Sequence, residues 1–234
     1  MKKKISYTNE EEFQSYLSSL YQDSYFSNRD GQDKKRQEQF KLDKNLLFKH
    51  VSSGAICDVG CSTGEFLNSL NWEGELYGYE PNENAKKIAQ KTIDFSKNIY
   101  NSKEFFDVVV LRGVIQHLDE PFNTLKHAFI SLKRGGYLII LSTPNTDSIL
   151  YKKKKNLPSL DAPRNFYIPG HASLLNALSN LGFSHVESNF EYIKSPYSEY
   201  IRDHIKFIFN LFSNKFYPHA FWKSMMDVVV KKDN

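Results

Sequence analysis

The sequence predicts an α/β fold in which a mostly parallel sheet is covered by helices on both faces. Three observations carry that expectation. From residue 55 onward, short apolar runs alternate with helix-period patterns, as in repeated β-α units. The run Ile56-Cys57-Asp58-Val59 breaks into Gly60-Cys61-Ser62-Thr63-Gly64 and then into the helical pattern Glu65-Phe66-Leu67, so a buried strand turns through glycines into a helix. Twenty residues after Gly60, Leu76-Tyr77-Gly78-Tyr79 ends in Glu80, where a carboxylate can accept hydrogen bonds from two ribose hydroxyls.

Each element follows in order. About fifty residues precede the first strand. They open on Met1-Lys2-Lys3-Lys4 but turn polar and acidic by Asn9-Glu10, unlike a secretion signal. No apolar run reaches membrane-spanning length, so a cytoplasmic location is expected. The leader carries Tyr16, Tyr21, Tyr25, Phe26 and Arg29 before a charged helical stretch at 34–49. Strands are predicted at 55–59, 76–79, 106–111, 137–141, 185–189 and 226–230, with a weak one at 93–95. Helices fill 82–91, 121–132 and 173–181, the last stopped by Gly182. Gly135-Gly136 marks the turn into the strand at 137. No repeat or low-complexity linker interrupts the 234 residues, and the 40% apolar share suits a three-layer core. One domain is expected, with a helical cap at 1–50, a core at 55–190 and an aromatic-rich end at 191–234.

Charge and cysteine narrow the function. The 31 basic and 27 acidic residues leave a net charge of +4, a small excess that argues against a nucleic-acid partner. Lys152-Lys153-Lys154-Lys155 is the dense basic run, expected in a solvated loop or beside an anionic substrate such as a nucleotide diphosphate. Cys57 and Cys61 support neither a disulfide framework nor a zinc site.

A dinucleotide loop would carry G-x-G-x-x-G, but Thr63 stands where further glycine helps a pyrophosphate approach. The string Asp58-x-Gly60-x-Ser62-x-Gly64 followed by Glu80 instead resembles the first two motifs of class I S-adenosylmethionine-dependent methyltransferases. It departs from the common D-x-G-x-G-x-G at Ser62, a residue small enough to keep the turn. Phe106-Asp107-Val108-Val109-Val110-Leu111-Arg112-Gly113-Val114-Ile115-Gln116-His117-Leu118 resembles the fourth-strand motif of the small-molecule subgroup (methyltransferase type 11/23-like). Leu132-Lys133-Arg134-Gly135-Gly136 and Ser142-Thr143-Pro144-Asn145 are similar to it too. The resemblance implies a Rossmann-like three-layer sandwich, with a seven-stranded, mostly parallel sheet in the order 3-2-1-4-5-7-6 and strand 7 antiparallel.

The resemblance also implies S-adenosyl-L-methionine as cofactor, with Asp58, Gly60, Cys61, Ser62, Gly64, Glu80, Pro81, Leu111 and Arg112 as the cofactor-binding set. Asp58 is expected to brace the loop by accepting backbone N–H bonds. Arg112 is expected either to meet a cofactor or substrate anion or to form an ordinary salt bridge. His117 is the first candidate general base, since a neutral imidazole can take a hydroxyl proton as the oxygen attacks; ordering of its loop is the alternative role. His171, after a long loop, is the second, with helix capping as its alternative.

Absences bear on the acceptor. The D/N-P-P-Y signature for amino-group methylation is missing, and neither cysteine lies where a pyrimidine-attacking thiolate is needed. Arg112 and Ser142-Thr143 stand where magnesium-binding acids would be, so metal independence is expected. The expectation is O-methylation of a small molecule, favouring a sugar or nucleotide-linked sugar of surface polysaccharide biosynthesis. A quinone or lipid precursor is the alternative acceptor, and a catalytically silent methyltransferase-like binding protein the alternative class. The apolar helix around Ile205-Lys206-Phe207-Ile208-Phe209 needs cover, from the sheet, a homodimer partner, a substrate or a membrane surface touched by Phe207 and Phe212.

Overall fold

Ser53–Val59 (β1) sits at the centre of the parallel part of the sheet, and its last five residues are buried, as a strand covered on both faces requires. The computed structural model describes residues 33–157, 159–160, 165–190, 194–219 and 224–233. Tyr16, Tyr21, Tyr25, Phe26, Arg29 and Trp222 lie outside them. Ahead of β1 runs the helix Asp33–Phe48 (α1). After it come Glu65–Ser69 (α2), Glu73–Tyr79 (β2), Glu83–Ala89 (α3), Phe106–Arg112 (β3), a short 3-10 turn at Ile115–His117, Pro121–Ser131 (α4) and Leu132–Pro144 (β4). Ile149–Lys154 (α5), His171–Asn180 (α6), Phe183–Asn189 (β5), Tyr200–Phe212 (α7) and Met225–Lys232 (β6) complete the described elements.

The six strands lie in the order β2-β1-β3-β4-β6-β5, with β6 antiparallel to both neighbours. Among the described residues this is the expected Rossmann-like order without its outermost strand. The segment expected to supply it, 93–95, makes only an isolated parallel bridge between Tyr77 and Asp94. Gly78 N donates to Asp94 O at 3.1 Å, Asp94 N donates to Leu76 O at 2.9 Å, and the pairing stops. The cause is local: Asp94 Oδ1 accepts Ser96 N at 2.7 Å and Asn98 Oδ1 accepts Tyr100 N at 2.9 Å, so side chains offer the backbone turns in place of a ladder.

Alternation along the strands divides the core into two. Val109, Leu111, Leu138 and Ile140 face α4 and α6 through Leu125, Ala128, Leu174 and Leu178. Val108, Val110, Ile139 and Leu141 face the other way, towards Phe40 and Leu47 of α1, Phe66 and Leu67 of α2, and Ala89 of α3. These are the three layers.

Two further expectations change. The basic run at 152–155 is not a loop: Lys152, Lys153 and Lys154 form the last turn of α5, whose N-cap Ser148 accepts Tyr151 N at 3.2 Å. And α6 starts at His171 rather than at 173, because Gly170 N donates to Ser173 Oγ at 3.2 Å and opens the helix two residues earlier. Among the described residues no helix is long and apolar enough to cross a membrane.

Candidate cofactor and acceptor site

The loop after β1 is hooked over the end of β2. Gly60 N and Cys61 N both donate to Tyr79 O, at 2.7 and 3.1 Å, and Gly64 N closes the turn on Cys61 O at 2.9 Å. Gly60 adopts φ +74°, and a Cβ there would stand 2.6 Å from Val114 Cγ2, so both conformation and space require glycine. Ser62, in the position where the common motif has glycine, holds a left-handed φ of 53°. Glu80 secures that residue: Oε2 accepts Ser62 N at 2.8 Å while Oε1 accepts Asn82 N at 2.9 Å. Asn82 in turn caps α3 through Ala85 N. Pro81 is exposed between them.

Asp58 does not brace the loop as expected. The loop's N–H groups are already taken by Tyr79 O and Glu80, and Asp58 Oδ1 is buried with no hydrogen-bond partner. Burial pushes its carboxyl up to about 7, with Arg112 pulling it down and Glu80 pushing it further up. Cys57 and Cys61 are buried, and burial pushes both thiols up, away from a reactive thiolate. Leu111 is buried in the core at the end of β3.

At Arg112 the salt-bridge alternative is the one present. Its Nε donates to Asp43 Oδ2 at 2.6 Å, and its guanidinium lies 4.5 Å from the Phe40 ring centre and 5.6 Å from that of Phe66. Asp43 Oδ1 accepts Gln39 Nε2 at 2.8 Å, and Gln39 Oε1 accepts Ser195 Oγ at 2.8 Å. This buried chain ties α1 to the end of β3 and to the segment before α7. The sequence reading missed Gln39, Asp43 and Ser195. Gln39 and Asp43 stand four apart on one helix face, but in a stretch so polar that nothing marks that face as inward.

Beyond β3 the chain turns at Gly113, where a Cβ would find, among the described residues, nothing closer than Gln116 Nε2 and Ser142 O at 4.0 Å. Gln116 Nε2 donates to Gly113 O at 3.0 Å and lies 3.3 Å from His117 Nε2. Gly113 O needs a donor, which fixes the amide orientation and points an amide N–H at His117 Nε2. Gln116 Oε1 is buried without a partner. Its backbone oxygen accepts Phe166 N at 2.9 Å, and Thr146 N donates to Pro169 O at 3.1 Å, which brings the loop after α5 back over the ends of β3 and β4.

His171 is placed elsewhere. Its Nε2 meets Ser188 Oγ at 2.8 Å and its ring packs 4.7 Å from the Phe190 ring. Burial and the neighbouring His185 lower its pKa, with Asp147 opposing. Ser188 lies on β5 at the edge of the sheet, so the His171 ring is turned towards that edge. Asn145 Oδ1 accepts Asp147 N at 2.9 Å and His171 N at 3.2 Å, so it seats the start of α6 at the end of β4. Among the described residues no group of three or more His, Cys, Asp or Glu could hold a metal ion.

Known proteins resemble this chain. The tRNA U34 carboxymethyltransferase of Desulfotalea psychrophila (strain LSv54 / DSM 12343) is 25% identical over 170 residues, covering 67% of this chain and 52% of that protein. The protein of the same name from Helicobacter acinonychis (strain Sheeba) is 30% identical over 152 residues, covering 56% of each. The chain thus spans about half the length of these curated relatives. Among solved structures, a SAM-dependent methyltransferase from Archaeoglobus fulgidus superposes with a TM-score of 0.63 at 19% identity, covering 90% of this chain and all of that one, and shares its fold. The pattern of the family described as "Methyltransferase domain" matches residues 33–188, from α1 through the glycine loop to β5, so the chain belongs to the methyltransferase domain family, whose cofactor is S-adenosylmethionine.

Proposed function

We propose that the protein is an S-adenosylmethionine-dependent O-methyltransferase acting on a small hydroxylic molecule, with a sugar or nucleotide-linked sugar as the favoured acceptor. The carrying observation is the pair Gln116–His117. His117 Nε2 meets the Gln116 amide, whose oxygen, Oε1, is buried without a donor. A buried acceptor left unpaired is costly, and a hydroxylic ligand supplies the donor that the protein lacks.

The residues at the β1 end fit the cofactor. The unpartnered Asp58 Oδ1 suits an ammonium group, and the Glu80 carboxylate stands at the end of β2 where ribose hydroxyls bind in such folds. Asp58, Gly60, Cys61, Ser62, Gly64, Glu80, Pro81 and Leu111 are the residues that would hold it. Arg112 contributes indirectly, by fixing α1 beside the loop. When bound, the cofactor supplies an electrophilic methyl group on a sulfonium. The protein's part is to orient the acceptor hydroxyl, exclude water and take the hydroxyl proton at His117 Nε2, in exchange for the long 3.3 Å amide contact that Nε2 makes now.

His117→Ala tests the role: turnover should fall roughly a hundredfold or more with S-adenosylhomocysteine affinity kept, by calorimetry beside a single-turnover assay. Unchanged turnover would remove His117 from the chemistry.

A second reading, a tRNA acceptor, is favoured by the names of the curated relatives. The disposition of cations weighs against it: Arg112 is held by Asp43, and Lys153 and Lys154 donate to backbone carbonyls at the end of α7. Methyl transfer to a panel of nucleotide sugars beside unmodified tRNA separates the two. Binding to tRNA that weakens steeply with salt, together with tRNA turnover, would replace the first reading.

A further inference from the structure

Helix α7 faces the wrong way for an ordinary surface helix. Its inward side carries Asp203 and Asn210, both buried. Its outward side carries Ile201, Ile205, Ile208, Phe209 and Phe212, which are 74%, 50%, 54%, 52% and 86% exposed. These positions recur at three- and four-residue spacing and form one continuous apolar stripe.

The rotation of the helix is fixed by the buried polar pair. Asp203 Oδ2 accepts Glu199 N at 3.1 Å and Ser198 Oγ at 3.3 Å, closing the helix start. Asn210 clamps the chain that follows, donating from Nδ2 to Tyr217 O at 2.8 Å and accepting Tyr217 N at Oδ1 at 2.9 Å. At the other end Lys153 Nζ donates to Leu211 O at 2.9 Å, and Lys154 Nζ donates to Ser213 O. Turning the stripe inward would break all of these bonds and bury nothing polar in exchange. The outward stripe is built in.

Its surroundings are cationic. Arg202 and Lys206, one turn apart, border the stripe along the helix, and Lys215 follows its end. Lys153 and Lys154 of α5 reach its C-terminus. The acids close by are Asp203, which is buried, Glu199, which pairs with Arg202 at 3.0 Å, and Asp147, which lies 3.9 Å from Lys152 Nζ. At about 200 Å² for a large side chain, the stripe exposes roughly 600 Å², short of the about 800 Å² per partner of a standard protein interface.

We propose that α7 is a docking element for an anionic lipid bilayer, lying in the interface with Ile201, Ile205, Ile208, Phe209 and Phe212 among the acyl chains and Lys206 and Lys215 at the headgroups. The assignment stands apart from the acceptor's identity. It gives the protein a membrane-surface partner whether the methylated molecule is soluble or lipid-linked.

Flotation of the full chain with vesicles tests it. Vesicles of phosphatidylcholine with 30% phosphatidylglycerol should carry the protein upward, and pure phosphatidylcholine vesicles should carry at least tenfold less. The variant Ile208→Ser/Phe212→Ser should lose at least tenfold in binding to the anionic vesicles while keeping its melting temperature and S-adenosylhomocysteine affinity. Lys206→Glu should weaken binding and reduce its salt dependence. Absence of flotation with anionic vesicles at low salt would overturn the proposal, as would undiminished binding by the serine variant. A wild-type dimer that the serine variant converts to a monomer, with neither form floating, would assign the stripe to a second copy of the chain instead.

Discussion

The two ends of the site are built by different means. At the β1–β2 end every part is close in sequence: Gly60, Cys61 and Ser62 are hooked to Tyr79 and Glu80, within about twenty residues of each other. At the β3–β4 end the parts come from far apart, with Asp43 of α1 meeting Arg112, Gln116 meeting Phe166, and Gln39 meeting Ser195. The first end leaves Asp58 Oδ1 without a hydrogen-bond partner. The second leaves Gln116 Oε1 without a donor. Short-range contacts fix the glycine loop, while long-range contacts shape the other end, which can change without disturbing that loop.

The largest expected effect breaks the short-range end. Gly60→Val forces a branched side chain into φ +74° and into Val114, 2.6 Å from where the Cβ would lie. S-adenosylhomocysteine binding should fall below detection by calorimetry, while the far-ultraviolet circular dichroism stays that of a folded chain. Binding at full strength would show that the loop is not the cofactor site.

The long-range end is broken at Arg112. Removing it strands Asp43, which is 2% exposed, without its cation, so Arg112→Ala should cost about 3–5 kcal/mol in urea unfolding. Arg112→Met/Asp43→Leu should recover most of that loss, because it removes both charges together. A double variant as weak as the single one would mean that the pair's packing, not its charge, holds α1 in place.

Asp58 sharpens the comparison through pH. Its folded carboxyl titrates near 7, above the ordinary value near 3.8, so the native state binds more protons than the unfolded chain between those values. Stability of the cofactor-free protein from this group is greatest below pH about 4 and is lost as pH rises towards 7. Asp58→Asn should flatten that part of the melting-temperature profile. A profile unchanged by the substitution would place the charge elsewhere.

The smallest effect is at Ser62. Its left-handed φ costs a non-glycine residue roughly 1–2 kcal/mol, part of which glycine returns through its looser unfolded chain. Ser62→Gly should therefore raise stability by about 1 kcal/mol, or a melting temperature rise of about 2–4 °C. No rise would mean that Ser62 N, held by Glu80, has already relaxed the turn.

This division also explains what was legible in the sequence. The strands and the glycine loop were readable because period-2 and period-3.6 patterns and a turn with a following acid are local signals, whereas the strand order came from the family resemblance and not from periodicity. The missing outer strand was not, because whether 93–95 pairs depends on Asp94 and Asn98 competing for their own backbone. Arg112 was read with both its alternatives open, since its partner lies 69 residues away on a helix face that composition does not distinguish. Asp58 was assigned to bracing because an acid before a turn usually finds N–H groups; here Glu80 and Tyr79 O reach them first. The run of lysines looked like solvent-facing charge, and only the placement of α7 against α5 shows that two of them cap its end.

The shortened outer edge has a consequence for solubility. Among the described residues only Asp94 is bridged to its outer edge, so β2 presents most of its length there as an unpaired margin of the sheet, the kind of margin that recruits strands from other molecules. Glu73 and Glu75 are spaced along that margin, in its more exposed half, and put like charges opposite one another in any edge-to-edge pairing. The protein gives up a strand there and keeps, in two carboxylates, a guard against fibre growth.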